Sequence, residues 1–364
     1  MRIAQVAPLY ESVPPALYGG TERVVSWLTE ELVRLGHDVT LFSSGDSLTT
    51  ARLVPACKRA LRLDPGCVDQ LAHHVVMLDL VFSEKDNFDL FHFHTDYLHF
   101  PLSRREQIPH VTTLHGRLDY PDLVPLYRHF HDLPLVSISD AQRKPLPWAN
   151  WQGTVHHGLP RDYFSLGAGG EYLAFLGRTS PEKGLDQAIE IAKRTGMPLK
   201  IAAKIDKIDV PYYERVIKPL LDHPLVEFIG EIGYPDKNEF LGNAAALLFP
   251  IDWNEPFGLV MIEAMACGTP VIAYPLGSVP EIVRDGVTGF IVPDLENAVR
   301  AVKRIKEIDR GECRQHFERH FGAERMARDY LDIYRRLARG DSSSGTVANG
   351  ALSWKNLVTP LNTT

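Results

Sequence analysis

At 364 residues the chain exceeds the usual size of one domain, so two domains of about 100–200 residues each are expected. Hydrophobic residues at 45% and charged residues at 23% are an ordinary globular balance, and a formal charge of −7 argues against a nucleic-acid partner. No apolar run approaches the roughly 18–20 residues of a membrane span, MRIAQVAPLYESVPP lacks the pattern of a secretory leader, and the four cysteines form no CxxC pair, so a reduced, cytoplasmic protein is expected.

RIAQVAPL opens as a buried strand, followed by the Pro- and Gly-rich loop YESVPPALYGG. TERVVSWLTEELVRLG then sets Val24, Trp27, Leu28, Leu32 and Leu35 at helical spacing, with Gly36 as the stop. HDVTLFSS reads as the next strand, completing a strand–helix–strand unit and implying a parallel sheet. FDLFHFH, HVTTLHG and LPLVSISD add three more. A second series starts after the loop 156–170: strand YLAFLGR, then helix PEKGLDQAIEIAKRTG with Leu185, Ala188, Ile189 and Ala192 on one face, then strands LKIAAK, VEFIG, AALLFP and PVIAY. The expected architecture is α/β: two doubly wound Rossmann-like domains, residues 1–165 and 166–320, facing a central cleft. AERMARDYLDIYRRLA, within 321–339, is expected to be a terminal helix packing back toward the first domain, and the polar segment 340–364 a disordered tail.

Four stretches carry chemistry. In WNEPFGLVMIEAMACGTPVIA, Glu255 and Glu263 interrupt an apolar run. A helix from Pro256 to Cys267 would leave the amides of Phe257, Gly258 and Leu259 free for an anion, with the two carboxylates about 12 Å apart. That separation exceeds the roughly 5–9.5 Å of a glycosidase pair and suits two different parts of one long ligand. LGRTSPEKG follows the first strand of the second domain and places Arg178 and Lys183 where a diphosphate would bind. YGGTERVV puts Gly19 and Gly20 ahead of a helix, a geometry open to phosphate or to an ordinary turn. TTLHG sets His115 at a strand end facing the same crevice. In HFHTD, His92 and His94 share a strand face, but no further converging ligands are signalled, so His94 and Asp96 are expected to border an acceptor cleft and no metal is expected.

The set GGTERVV, LHG, LGRTSPEKG, EPFGLVMIEAMACGTPVIA and DGVTGFIV resembles the family 4 retaining glycosyltransferases of two-domain GT-B fold, over about residues 1–335. The resemblance implies that Arg178 and Lys183 bind a donor diphosphate and that Glu263 holds the ribose. It also implies that Glu255, with the backbone of Phe257, Gly258 and Leu259, holds the transferred sugar. Gly19 and Gly20 would approach the phosphates, His115 would meet a sugar hydroxyl, and the base would lie along GEIG beside Ile232. Two positions depart from the family pattern. Lys204 stands where glycine is common, either as a third cation near the diphosphate or as a strand cap. Leu276 stands where a second glycine is common, and Glu281 nearby reads as structural.

The activity implied is metal-independent transfer of a hexose, UDP-linked by family prevalence, to a sugar, lipid-linked or small-molecule acceptor with retention. Peripheral membrane contact is compatible with it, and no cofactor is called for. A nucleotide-sugar epimerase and a non-catalytic sugar-nucleotide binding protein are the alternatives on the same fold.

Overall fold

The computed structural model describes residues 1–340. The expected tail, apart from Gly340, lies outside the described residues.

Two wholly parallel sheets form the frame. The first has seven strands in the order β3-β2-β1-β4-β5-β6-β7: β1 Arg2–Val6, β2 Asp38–Ser44, β3 Arg52–Cys57, β4 Leu90–Phe93, β5 His110–Thr113, β6 Leu135–Ser137 and β7 Trp151–Thr154. The second has six in the order β10-β9-β8-β11-β12-β13: β8 Tyr172–Arg178, β9 Leu199–Lys204, β10 Val226–Gly230, β11 Ala244–Phe249, β12 Val271–Ala273 and β13 Gly289–Ile291. In each sheet the strand order reverses beside the first strand, β1 or β8, and such switch points open a crevice at the strands' carboxyl ends.

Local sequence explains the central elements. The helix Gly20–Arg34 buries Val24, Trp27, Leu28 and Leu32, and carries Arg34 in its last turn, matching the helix dipole. Burying each large apolar side chain is worth about 1.5–3 kcal/mol. The helix Leu185–Thr195 buries Leu185, Ala188, Ile189 and Ala192 against the second sheet.

Among the described residues the chain crosses between the sheets twice, and the crossings run side by side. Leu159 N donates to Phe321 O at 2.9 Å, and Ala323 N to Leu159 O at 3.0 Å. A Cβ on Gly158 would lie 2.4 Å from Gly322 O, so only glycine lets the two backbones touch. The returning helix Ala323–Ala338 packs on the helix Gly20–Arg34 and on β4 and β5. Glu281 adds a clamp from the second domain: it accepts from the amides of Asp140 and Ala141, both at 2.7 Å, and meets His156 Nε2 at 3.1 Å. Burial alone would raise Glu281, but the bonds from His156 and the two amides outweigh it and hold the carboxylate below its usual range.

Candidate active site

A cleft of about 580 Å³ lies between the domains, lined by the loops at the carboxyl ends of both sheets. Every residue singled out from the sequence as catalytic, donor-binding or acceptor-side lines it: Gly19, Gly20, His94, Asp96, His115, Arg178, Lys183, Lys204, Ile232, Glu255, Phe257, Gly258, Leu259 and Glu263. Trp253, Tyr234, Lys237 and Glu22, which drew no functional reading from the sequence, line it too.

The basic wall is internally compensated. Arg178, the last residue of β8, bonds Glu182 at 2.7 Å and Asp209 at 3.4 Å. Lys183 Nζ meets Glu255 Oε2 at 2.5 Å and sits 4.7 Å from the centre of the Trp253 ring, while Trp253 Nε1 donates to the same carboxylate at 3.0 Å. Lys204 faces Asp206 at 3.8 Å and the Tyr18 ring at 5.0 Å. Glu263, only 2% exposed, accepts from Tyr234 OH at 2.6 Å and from Lys237 Nζ at 3.1 Å. Tyr234 and Lys237 fall three apart on the helix Tyr234–Gly242, so both face one way, a spacing the sequence YPDK already contained. Arg178 and Lys183 are therefore paired cations. Carboxylates hold them in place at the cleft.

The helix behind Glu255 differs from expectation. It spans Leu259–Ala266, three residues shorter at its start, because Gly258 takes φ +77° at the N-cap. Leu259 and Val260 therefore open the helix and supply its unpaired amides. Phe257 lies outside it, 2% exposed, with its ring 4.7 Å from that of His157 and its carbonyl accepting from Ser278. A side chain at Gly258 would also press on Met261 and Phe249. Gly277 supports the same loop from below: a Cβ there would lie 2.3 Å from both Glu255 N and O. The two walls approach closely, since a Cβ on Gly20 would lie 3.6 Å from Leu259 Cδ1.

On the first-domain side, His115 pairs with His94 at 2.9 Å, and burial pushes it down to about 3, so it is neutral at working pH. Asp96 takes the left-handed φ of 49° just beyond β4 and has no hydrogen-bond or ion-pair partner among the described residues. Solvent in the cleft reaches it, yet protein surrounds it, and that desolvation raises it to about 6. His92 is turned inward, bonded to Tyr334 and Thr113. Among the described residues no group of three or more His, Cys, Asp or Glu converges as metal ligands.

Glu22, 4% exposed at the start of its helix, is pushed by burial up to about 7 from an ordinary 4.5. Its folded-state value is raised, so its contribution to stability is fully present below pH 4.5 and is lost as pH rises through about 7. Glu22→Gln removes that loss. Its stability relative to the parent should climb by up to roughly 3 kcal/mol between pH 4.5 and 9. Urea unfolding at several pH values checks this, and a pH-independent difference would contradict it.

The description "Glycosyltransferase Family 4" matches residues 18–152, and "Glycosyl transferases group 1" matches residues 164–320. The chain belongs to the family 4 glycosyltransferases. An uncharacterized glycosyltransferase of Methanocaldococcus jannaschii is 25% identical over 282 residues, 70% of this chain and 77% of that protein. D-inositol 3-phosphate glycosyltransferase of Salinispora tropica is 31% identical over 198 residues, 48% of this chain but only 40% of its own length. Among solved structures, AviGT4, a glycosyltransferase involved in avilamycin A biosynthesis, has a TM-score of 0.73 at 23% identity, covering 93% of this family 4 chain and 98% of that one. Anabaena HepE in complex with UDP and glucose has a TM-score of 0.70 at 17% identity, covering 92% and 99%. At these identities the structural likenesses bear on the fold, which is GT-B. No helix among the described residues of this family member is long and apolar enough to cross a membrane.

Proposed function

We propose that the chain moves a hexose from a nucleotide diphosphate sugar, UDP-hexose first among them, to an acceptor hydroxyl with retention and without a divalent metal. One observation carries the reading. Arg178, Lys183, Lys204, Lys237 and the start of the helix Leu259–Ala266 line the same cleft as Glu255 and Glu263. That set suits a ligand with a diphosphate at its centre and hydroxyl-bearing rings at both ends. The HepE structure, with UDP and glucose bound on this fold, supports a uridine donor.

In this reading Glu263 takes the ribose, Glu255 the transferred sugar, and Ile232 flanks the base. As the bond from the anomeric carbon to the diphosphate oxygen breaks, that oxygen gains charge facing Arg178, Lys183 and the amides of Leu259 and Val260. Fixed donors at the site of developing charge lower the barrier without reorganising. The acceptor oxygen attacks from the face the diphosphate is leaving, and its proton passes to the departing oxygen. Asp96 and His94 border the acceptor's path, and His115 meets a sugar hydroxyl.

The test is product analysis after incubation with UDP-glucose and a panel of sugar, cyclitol and lipid-linked acceptors. NMR of the first-formed product should show the donor's anomeric configuration, and the inverted anomer would overturn retention. Excess EDTA should leave turnover within about twofold, since fixed cations replace the metal's role on the leaving group. Activity that collapses and returns with Mg²⁺ or Mn²⁺ would refute metal independence.

A further inference from the structure

A continuous run of buried side-chain hydrogen bonds links the cleft to the returning helix Ala323–Ala338. His115 Nε2 meets His94 Nδ1 at 2.9 Å, and His94 Nε2 meets Gln5 Oε1 at 2.9 Å. Gln5 Nε2 donates to Tyr334 OH at 3.2 Å, and that hydroxyl meets His92 Nδ1 at 2.6 Å. His92 Nε2 then meets Thr113 Oγ1 at 2.7 Å, and Thr113 meets Tyr330 OH at 2.9 Å. Gln5, His92 and Tyr334 are all fully buried, and the run joins β1, β4, β5 and the returning helix. A glutamine inside an interior strand of a parallel sheet has no place in an apolar core unless both ends of its amide are satisfied, as they are here.

The amide of Gln5 sets every proton in this run. Its oxygen can only accept, so His94 carries its hydrogen on Nε2. A neutral imidazole has one N–H, so His94 Nδ1 accepts, and His115 Nε2 must be the donor to it. Burial keeps all three histidines neutral, pushing His92 and His94 well below their usual value and His115 to about 3. At the other end, Gln5 donates to Tyr334, whose own proton goes to His92 Nδ1, and His92 Nε2–H serves Thr113. Nδ1 of His115 is left bare and has no protein partner among the described residues.

We infer that Gln5 and Tyr334 are positioning residues that lock His115 in its Nε2–H form, so that it offers the cleft an acceptor nitrogen and selects a ligand hydroxyl that donates. A ligand oxygen without hydrogen, such as a phosphate or an ether oxygen, meets a lone pair there and is disfavoured. The returning helix thereby acts on the site through one hydroxyl, that of Tyr334. The role of His115 toward a sugar rests on the function proposed above, whereas its tautomer does not.

The experiment is two-bond ¹H–¹⁵N correlation on histidine-labelled protein at pH 7, which separates protonated from bare ring nitrogens. The wild-type protein should show His115 with its proton on Nε2 and Nδ1 bare. A proton on Nδ1, which a reversed Gln5 amide would impose, overturns the inference. In Tyr334→Phe the Gln5 amide loses its anchor, and both His115 tautomers should appear. An unchanged His115 pattern in that variant overturns the link to the helix. The wild-type spectrum decides the tautomer even if the variant fails to fold. Titrating UDP-glucose into the same sample keeps the two readings apart. With no nucleotide sugar bound, the function reading fails while the tautomer result stands by itself.

Discussion

Lys183→Ala is expected to lower kcat by on the order of 10²–10³ while raising donor KM far less. In the proposed reaction Lys183 would meet the diphosphate in the ground state and grip it harder as the glycosidic bond breaks and charge accumulates on the leaving oxygen. Only that extra grip accelerates the chemical step. The structure adds a second reason. Lys183 is the ion-pair partner of Glu255, which is 8% exposed, so its removal leaves a carboxylate uncompensated beside an arriving anion. Arg178→Ala should act in the same direction, because it too leaves carboxylates, Glu182 and Asp209, without their cation. Lys183→Arg should rescue only in part, since a planar fork cannot sit where a compact ammonium fits between Trp253 and Glu255. Steady-state kinetics with unfolding curves checks all three variants. Near-parental kcat with raised KM in both alanine variants would make these cations binding groups only, and Lys204 the next candidate for the leaving group.

Glu263→Gln should weaken nucleotide binding by about 1–3 kcal/mol, the value of a hydrogen bond to a charged group, and Glu255→Gln should not. Glu263 has three contacts from Tyr234 and Lys237, and a carboxylate with about four acceptor sites retains one for a ribose hydroxyl. Neutralising it removes that acceptor and leaves Lys237 without its partner. Glu255 differs because its charge is spent on Lys183. Glu255→Gln frees the ammonium for the diphosphate, so nucleoside diphosphate should bind as tightly as in the parent or tighter, while transfer slows. Calorimetry with UDP and with UDP-glucose measures both terms. Equal losses of UDP affinity in the two variants would refute the division of labour between the carboxylates.

The strands absent from the sequence reading share a cause. β3, β7 and β13 are all sheet edges, half exposed or short, and β3 contains Pro55 while β7 contains Gly153. The apolar runs that betray a doubly covered strand are missing there. Central strands and the helix Gly20–Arg34 were legible because burial on one or both faces leaves a periodic pattern. The candidate site was legible where a polar side chain followed a strand or a glycine opened a helix: Arg178 ends β8, His115 lies two residues past β5, and Gly19 caps the helix Gly20–Arg34. Its electrostatics were not. The Lys183–Glu255 and Lys237–Glu263 pairs join residues 72 and 26 apart, and His92–Tyr334 joins residues 242 apart. No periodicity reports such contacts. The start of the helix Leu259–Ala266 was misplaced for a local reason: apolar spacing runs smoothly through Phe257, and only the positive φ of Gly258 breaks it.

The most direct test of the account is thermal unfolding of the parent and of Glu263→Gln with UDP-, GDP- and ADP-sugars, without added metal and with EDTA present. A ligand at 100 times its Kd adds about 2.7 kcal/mol of stability. The account predicts a raised Tm for the parent with a UDP-sugar and a much smaller rise for Glu263→Gln at the same concentration. No shift with any of the three nucleotide sugars, or equal shifts in both proteins, would contradict it.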